Sequence, residues 1–352
     1  MTLKALNGAL LKILRVPTRH SMASMEDLIA EIDTDITDVV NTNFTFSNTV
    51  NVPNRSDGQL TFERNIEKKG KILETCVLYV DIRNSVGLTE KHHNITMGKI
   101  YTAFTKGVLK AAKHHQGHIR NIIGDRVMIV FPAENKFKNA VHCAITINHL
   151  AKYVIRKRFP AVDFKCGIGI DHGELRVIKV GVQRQGHEGT ENRSLVWAGY
   201  PANIASRLTD VANKTIDETI FKVTRNPINP AGTFNRFGGF PWSQPLARVN
   251  QPVYLTTEET VEMTAEEFAD NIWSFKGGPP LDLLGGKLIR FSKENRKYRY
   301  PEILMTKTVF NGYTAANPNA NDVTGGFWKV QRRPVKNVNS DIYGGDISWS
   351  IK

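Results

Sequence analysis

The chain has 352 residues, 41% hydrophobic and 23% charged, enough apolar material for a sizeable core, which excludes a globally disordered protein. A formal net charge of +13 implies an anionic partner. The basic residues are scattered apart from Arg156-Lys157-Arg158 and a basic tail, which favours a nucleotide over nucleic acid or a membrane surface. Three cysteines (Cys76, Cys143, Cys166) lie in apolar contexts without CxxC spacing, as expected of reduced thiols in a cytoplasmic protein. No apolar run reaches the length of a membrane span, and the start lacks a signal-peptide pattern.

Residues 2–16 read as a short basic amphipathic helix that packs on its own domain or on a dimer partner, with a membrane surface as the alternative. A second helix is expected over 24–40, with Leu28, Ile29, Ile32 and Ile36 on its apolar face. The Asn/Thr/Ser-rich stretch 41–56 reads as an extended linker. The core begins near Leu60. Within it, Thr75 to Val80 is a buried strand that ends at Asp81, and residues 86–115 carry helical spacing up to Gln116-Gly117. Gly124-Asp125 between two β-branched runs is a two-residue hairpin signal, which holds Asp125 at a loop tip. A periodic helix follows over about 136–159, then strands at 164–170 and 175–180 joined at His172-Gly173. The next helix spans Ala198 to Leu208, with Pro201 in its first turn.

This order, β-α-ββ-α-ββ-α, fits an antiparallel-rich α+β sheet with helices on one face. Residues 226–245 form a Pro/Gly/aromatic insert, Thr264-Ala265-Glu266-Glu267 is a capping-box start, and 301–310 is a closing strand. The chain divides into residues 1–58 as helices and linker, 59–310 as the main domain, and 311–352 as a C-terminal basic arm.

The chemistry concentrates in two pairs. A strand-end Asp81 beside a hairpin-tip Asp125 makes a hard-oxygen site suited to Mg²⁺ or Mn²⁺. Asn203 and Arg207 lie four apart on a helix and project from one face, the Arg suited to a phosphate and the Asn to a ribose or base edge; a plain surface pair is the alternative. His114, His115 and His118 lack a further ligand type for zinc, and neither Lys276-Gly277-Gly278 nor Gly285-Gly286-Lys287 has phosphate-loop spacing.

Four segments in order resemble the catalytic domain of class III nucleotidyl cyclases: Leu78 to Ile82 with Ser85, Ile123 to Met128, Gly167 to Gly173, and Gly199 to Leu208. The resemblance covers about residues 70–215. It implies the family's ferredoxin-like α+β sheet and a head-to-tail homodimer with sites at the interface. It makes Asp81, Asp125 and the Ile82 carbonyl ligands of two divalent metal ions, and Asn203 with Arg207 the transition-state pair given by the other protomer. Purine-specific members carry Lys or Glu where this chain has Asn121, and adenylate members carry Asp where it has Val196.

With both purine determinants missing, Tyr79, Asn121 and Arg126 offer an aromatic face and donors to a small carbonyl-rich ring. The pattern is similar to the bacterial pyrimidine cyclases of the Pycsar antiphage system. It implies a nucleoside triphosphate substrate, UTP ahead of CTP, and a separate effector that reads the cyclic product. The competing expectations are an adenylate or guanylate cyclase with a divergent base pocket and an inactive cyclase-like dimerisation module.

Overall fold

The structure, a computed structural model, describes residues 24–181, 193–229, 253–273, 282–283 and 285–351. The basic segment 2–16, most of the insert 226–245 and the Lys276-Gly277-Gly278 run lie outside the described residues.

In chain order the elements begin with α1 (Met25–Asn41), β1 (Phe44–Thr49), β2 (Lys68–Ile82), α2 (Ser85–Lys91) and α3 (Asn94–His114). Next come β3 (His118–Ile123), β4 (Arg126–Val130) and α4 (Lys136–His149), which widens into a π-turn at Leu150–Ile155 and closes as α5 (Arg156–Arg158). The chain continues with β5 (Cys166–Gly181), β6 (Arg193–Ala198), α6 (Tyr200–Val211), β7 (Thr215–Pro227), β8 (Glu259–Thr264) and α7 (Ala265–Asn271). It ends with β9 (Ile272–Trp273), β10 (Asp282–Leu283), β11 (Gly286–Arg299), β12 (Ile303–Thr306), α8 (Lys307–Ala316), α9 (Asn321–Thr324), β13 (Lys329–Val330) and β14 (Ile342–Gly345).

The chain divides into two compact units. The first holds residues up to Cys76, Phe131–Lys136 and His172–Asn203. Here α1 starts at a capping box, where Ser24 accepts from the Asp27 N–H while the Asp27 carboxylate accepts from the Ser24 N–H. Its end is tied down by Asp38, which accepts from Lys68 and from the Asn65 N–H. The expected linker 41–56 is corrected: β1 lies inside it and pairs in parallel with β2, from Phe44 opposite Lys68 to Thr49 opposite Leu73. The outer half of β5 pairs with β6. The two strands expected at 164–170 and 175–180 are one continuous strand, because His172 and Gly173 stay extended and open no turn.

The second unit holds Val77–Val130, Phe137–Asp171 and Ile204–Lys352. Its strands run in the order β13-β14-β12-β5-β2-β4-β3. Most pairings are antiparallel, as expected, but β12 lies parallel to β5, Ile303 opposite Ile168. Leu78, Val80, Ile129 and Ile168 are fully buried, and each such aliphatic side chain contributes about 1.5–3 kcal/mol by leaving water. The helix expected over 86–115 is two helices, broken where His92 and His93 take extended backbone.

The C-terminal segment 311–352 is not an arm. β14 pairs with β12, and Val335, Val338 and Ile342 join Ile204 and Leu208 of α6 and Ala212 just after it in one apolar cluster. A second sheet, β8-β7-β11-β10-β9, fills much of 215–299. α7 covers it through Phe268, whose ring stacks on Phe221 at 4.2 Å. This excursion starts and ends at one place: the Asn213 N–H donates to the Pro301 carbonyl at 2.8 Å, and the Tyr300 N–H donates to the Lys214 carbonyl at 2.9 Å.

Candidate active site

The site lies in the second unit, where β2 ends. Side chains alternate along a strand, so Tyr79 and Asp81 share one face while Val80 and Ile82 point to the other, where both are buried. The β3–β4 hairpin closes with Gly124 at φ +61°, a conformation glycine adopts at no steric cost, and Ile123 pairs with Arg126 across it. The two-residue turn read from the sequence is present.

The hairpin brings Asp125 beside Asp81. Burial, and then the neighbouring Asp81 carboxylate, push the Asp125 carboxyl above the usual carboxylate range, against a hydrogen bond from Ser85 that pulls it down. Oδ2 of Asp125 is buried with no hydrogen-bond partner. Asp81, by contrast, is crowded with donors: its Oδ2 accepts from Arg83 Nη2 at 3.1 Å and from Arg126 Nη2 at 3.0 Å.

A pair of adjoining carboxylates with one orphaned, buried oxygen fits a hard divalent cation. Among the described residues no group of three or more His, Cys, Asp or Glu side chains gathers.

Tyr79, Met128 and Asn121 stand in one row across β2, β4 and β3. The register brings Tyr79 and Asn121 to the same face on either side of a buried methionine. Burial pushes the Tyr79 phenol up, with the Arg126 charge opposing. Arg126, expected at the base, has other partners: besides Asp81 it donates to Ser206 Oγ at 2.8 Å and to Asp210 of α6. Neither Ser206 nor Asp210 was singled out from the sequence, although both sit one turn from Arg207 or Asn203 on the same helix.

α6 reaches this face because β5 carries glycines beneath it. A Cβ on Gly169 would stand 2.3 Å from the Ala205 carbonyl oxygen, and one on Gly167 would stand 2.5 Å from that of Ala212. Thr209 Oγ1 donates to the Tyr79 carbonyl at 3.2 Å. Arg207 is half-buried and donates to the Lys336 and Asn337 carbonyls at 3.5 and 3.4 Å. Asn203 is exposed in the first turn of α6, and Val196 is exposed on β6 opposite Ile178; both belong to the first unit. A cleft of about 850 Å³ opens at the end of β2, lined by Asp81 and Ser85 with Arg83, Lys91, Lys165 and Lys214 among its basic residues.

No family model matches the chain. It is 30% identical over 174 residues to a uridylate cyclase of Burkholderia cepacia, covering 47% of this chain and 70% of that one. It is 27% identical over 201 residues to a uridylate cyclase of Xanthomonas perforans, covering 55% and 82%. Among solved structures, the adenylyl cyclase CyaB from P. aeruginosa aligns over 78% of this chain and 94% of its own, at 13% identity and a TM-score of 0.41. The identity and extent of the first of these matches assign the chain, with its mixed α+β sheet, to the uridylate cyclase family of nucleotidyl cyclases.

Proposed function

We propose that the chain converts UTP to 3′,5′-cyclic UMP and pyrophosphate. The observation that carries this reading is the Asp81–Asp125 pair with its orphaned buried oxygen. Two relatives named for uridylate support the base, as does a Tyr79–Asn121 row without the purine-type Lys or Glu.

Asp81 and Asp125, with the Ile82 carbonyl, hold the Mg²⁺ or Mn²⁺ ions. When bound, these cations acidify the ribose 3′-hydroxyl and neutralise the triphosphate. Tyr79 packs against the base and Asn121 donates to a uracil carbonyl; a bulky Tyr also shortens the space against a purine. Val196 supplies no carboxylate for an adenine amino group.

The basic cleft beside Asp81 takes the polyphosphate. The 3′-oxygen attacks the α-phosphorus in line, and the bond from that phosphorus to the bridging oxygen breaks. Pyrophosphate leaves with the electron pair, and the hydroxyl proton goes to solvent. Arg207 stabilises charge on the transferring phosphoryl group and Asn203 orients the ribose. A head-to-tail homodimer, each copy giving Asn203 and Arg207 to the other's carboxylates, would carry two such sites. The cyclic product then serves as a signal for a separate effector in antiphage defence. No described helix is long and apolar enough to cross a membrane.

The test is to incubate the protein with Mn²⁺ and each of ATP, GTP, CTP and UTP and to identify products by mass. Cyclic UMP that disappears in Asp81→Ala is expected. Cyclic AMP or GMP as the main product would overturn the base assignment and leave the cation site standing.

A further inference from the structure

Asp81 and Asp125 have opposite problems. Asp125 keeps a buried oxygen that nothing donates to, whereas Asp81 Oδ2 is already neutralised by two guanidinium groups. The two arginines are held differently. Arg83 is buried, and its Nη1 donates to the Asp210 main-chain carbonyl at 3.2 Å. It is a fixed part of the wall. Arg126 is about a quarter exposed and divides its donors between Asp81 on the strand and Ser206 and Asp210 on α6. It keeps two acceptors, Ser206 and Asp210, without Asp81.

A divalent cation on Asp81 and Asp125 competes with the positive partners of Asp81, since a carboxylate bound to a metal has less charge to offer a guanidinium. Arg83 cannot leave without stranding a buried charge. Arg126 can.

Resting on the cation-site reading above, we infer that Ser206 and Asp210 are positioning residues that draw Arg126 off Asp81 and so clear the carboxylate for the metal. In the structure Arg126 spans both sets of acceptors. On loading it gives up Asp81 and keeps the helix partners, so metal binding is tied to α6, which also carries Asn203 and Arg207. The apparent affinity for the cation falls with the fraction of molecules in which Arg126 covers Asp81. Weakening the helix acceptors raises that fraction.

The test is Mn²⁺ binding to the full chain without nucleotide, read from the free-ion electron paramagnetic resonance signal. Ser206→Ala changes no charge and should weaken Mn²⁺ binding about threefold, and Asp210→Asn about tenfold, within the range of couplings between residues in contact. In an Arg126→Gln background both effects should vanish, because no guanidinium is left to draw away.

Simple loss of a nearby negative charge would instead leave Ser206→Ala unchanged and let Asp210→Asn act equally in both backgrounds; that pattern overturns the inference. Asp125→Asn separates the two levels. If it abolishes the tight Mn²⁺ site while the coupling is absent, the positioning role alone falls. If Mn²⁺ binding survives Asp125→Asn, the cation-site reading falls and takes this inference with it.

Discussion

Gly169 of β5 lies so close beneath Ala205 of α6 that an added Cβ would stand 2.3 Å from the carbonyl oxygen, nearer than any real contact. The obstacle is main chain, which cannot swing aside, so Gly169→Ala must lift the helix. Overpacking of this kind costs roughly 1–3 kcal/mol. Because α6 carries Arg207 and Asp210, turnover should fall about a hundredfold, more than the stability change alone explains. Calorimetric unfolding and kcat on the same sample check this.

Asp125 trades stability for function. Its carboxyl is pushed above the usual range by burial and by Asp81, so the charged form is what the folded protein resists. Asp125→Asn should therefore raise the unfolding midpoint of the metal-free protein at pH 7 while lowering turnover by two orders of magnitude or more, on the order of what a lost electrostatic stabiliser costs. A midpoint that falls would count against the strained carboxylate pair.

The C-terminal segment packs on α6. Ile342, Val338 and Val335 cluster with Ile204 and Leu208 of α6 and with Ala212 just after it. Ile342→Ala should cost roughly 2–5 kcal/mol. Amide hydrogen exchange should show the loss of protection concentrated in α6 and β14, with α1 unaffected.

Acid should loosen the second unit through His115. Its Nε2 lies 2.8 Å from Thr146 Oγ1, and burial first, then the charges of His114 and His142, lower its pKa from 6.5 to about 4. Between those two values the unfolded chain binds a proton that the folded chain refuses, so stability rises with pH and is lost on acidification. Unfolding midpoints measured from pH 7 to 4 should fall less steeply in His115→Gln than in the parent.

The parts of this molecule that were legible in the sequence are those whose signals are local. The apolar run ending at Asp81, the Gly124-Asp125 turn, the Thr264 capping box and the helix holding Asn203 and Arg207 each follow from a few adjacent residues. β1 was hidden because FTFSNT has a polar, turn-like composition and is extended only through its pairing with β2. The second sheet was missed for a related reason: β11 reads GKLIRFSKENRKYR, a charged run whose Arg296 finds Glu262 on β8 only once the sheet has formed. Arg126 is the sharpest case. Its place beside Asp125 suggests a donor to the base, but its partners Ser206 and Asp210 are supplied by a helix far along the sequence.

The second sheet also has a consequence for how the protein can change. Thr215 and Arg299 face each other where β7 departs and β11 returns, next to the Lys214–Tyr300 hydrogen bond. A detour whose doorway is this narrow can grow, shrink or be swapped for another without redrawing the strands that hold Asp81 and Asp125. Selection can thus rework the exterior of the enzyme while its chemistry stays under lock.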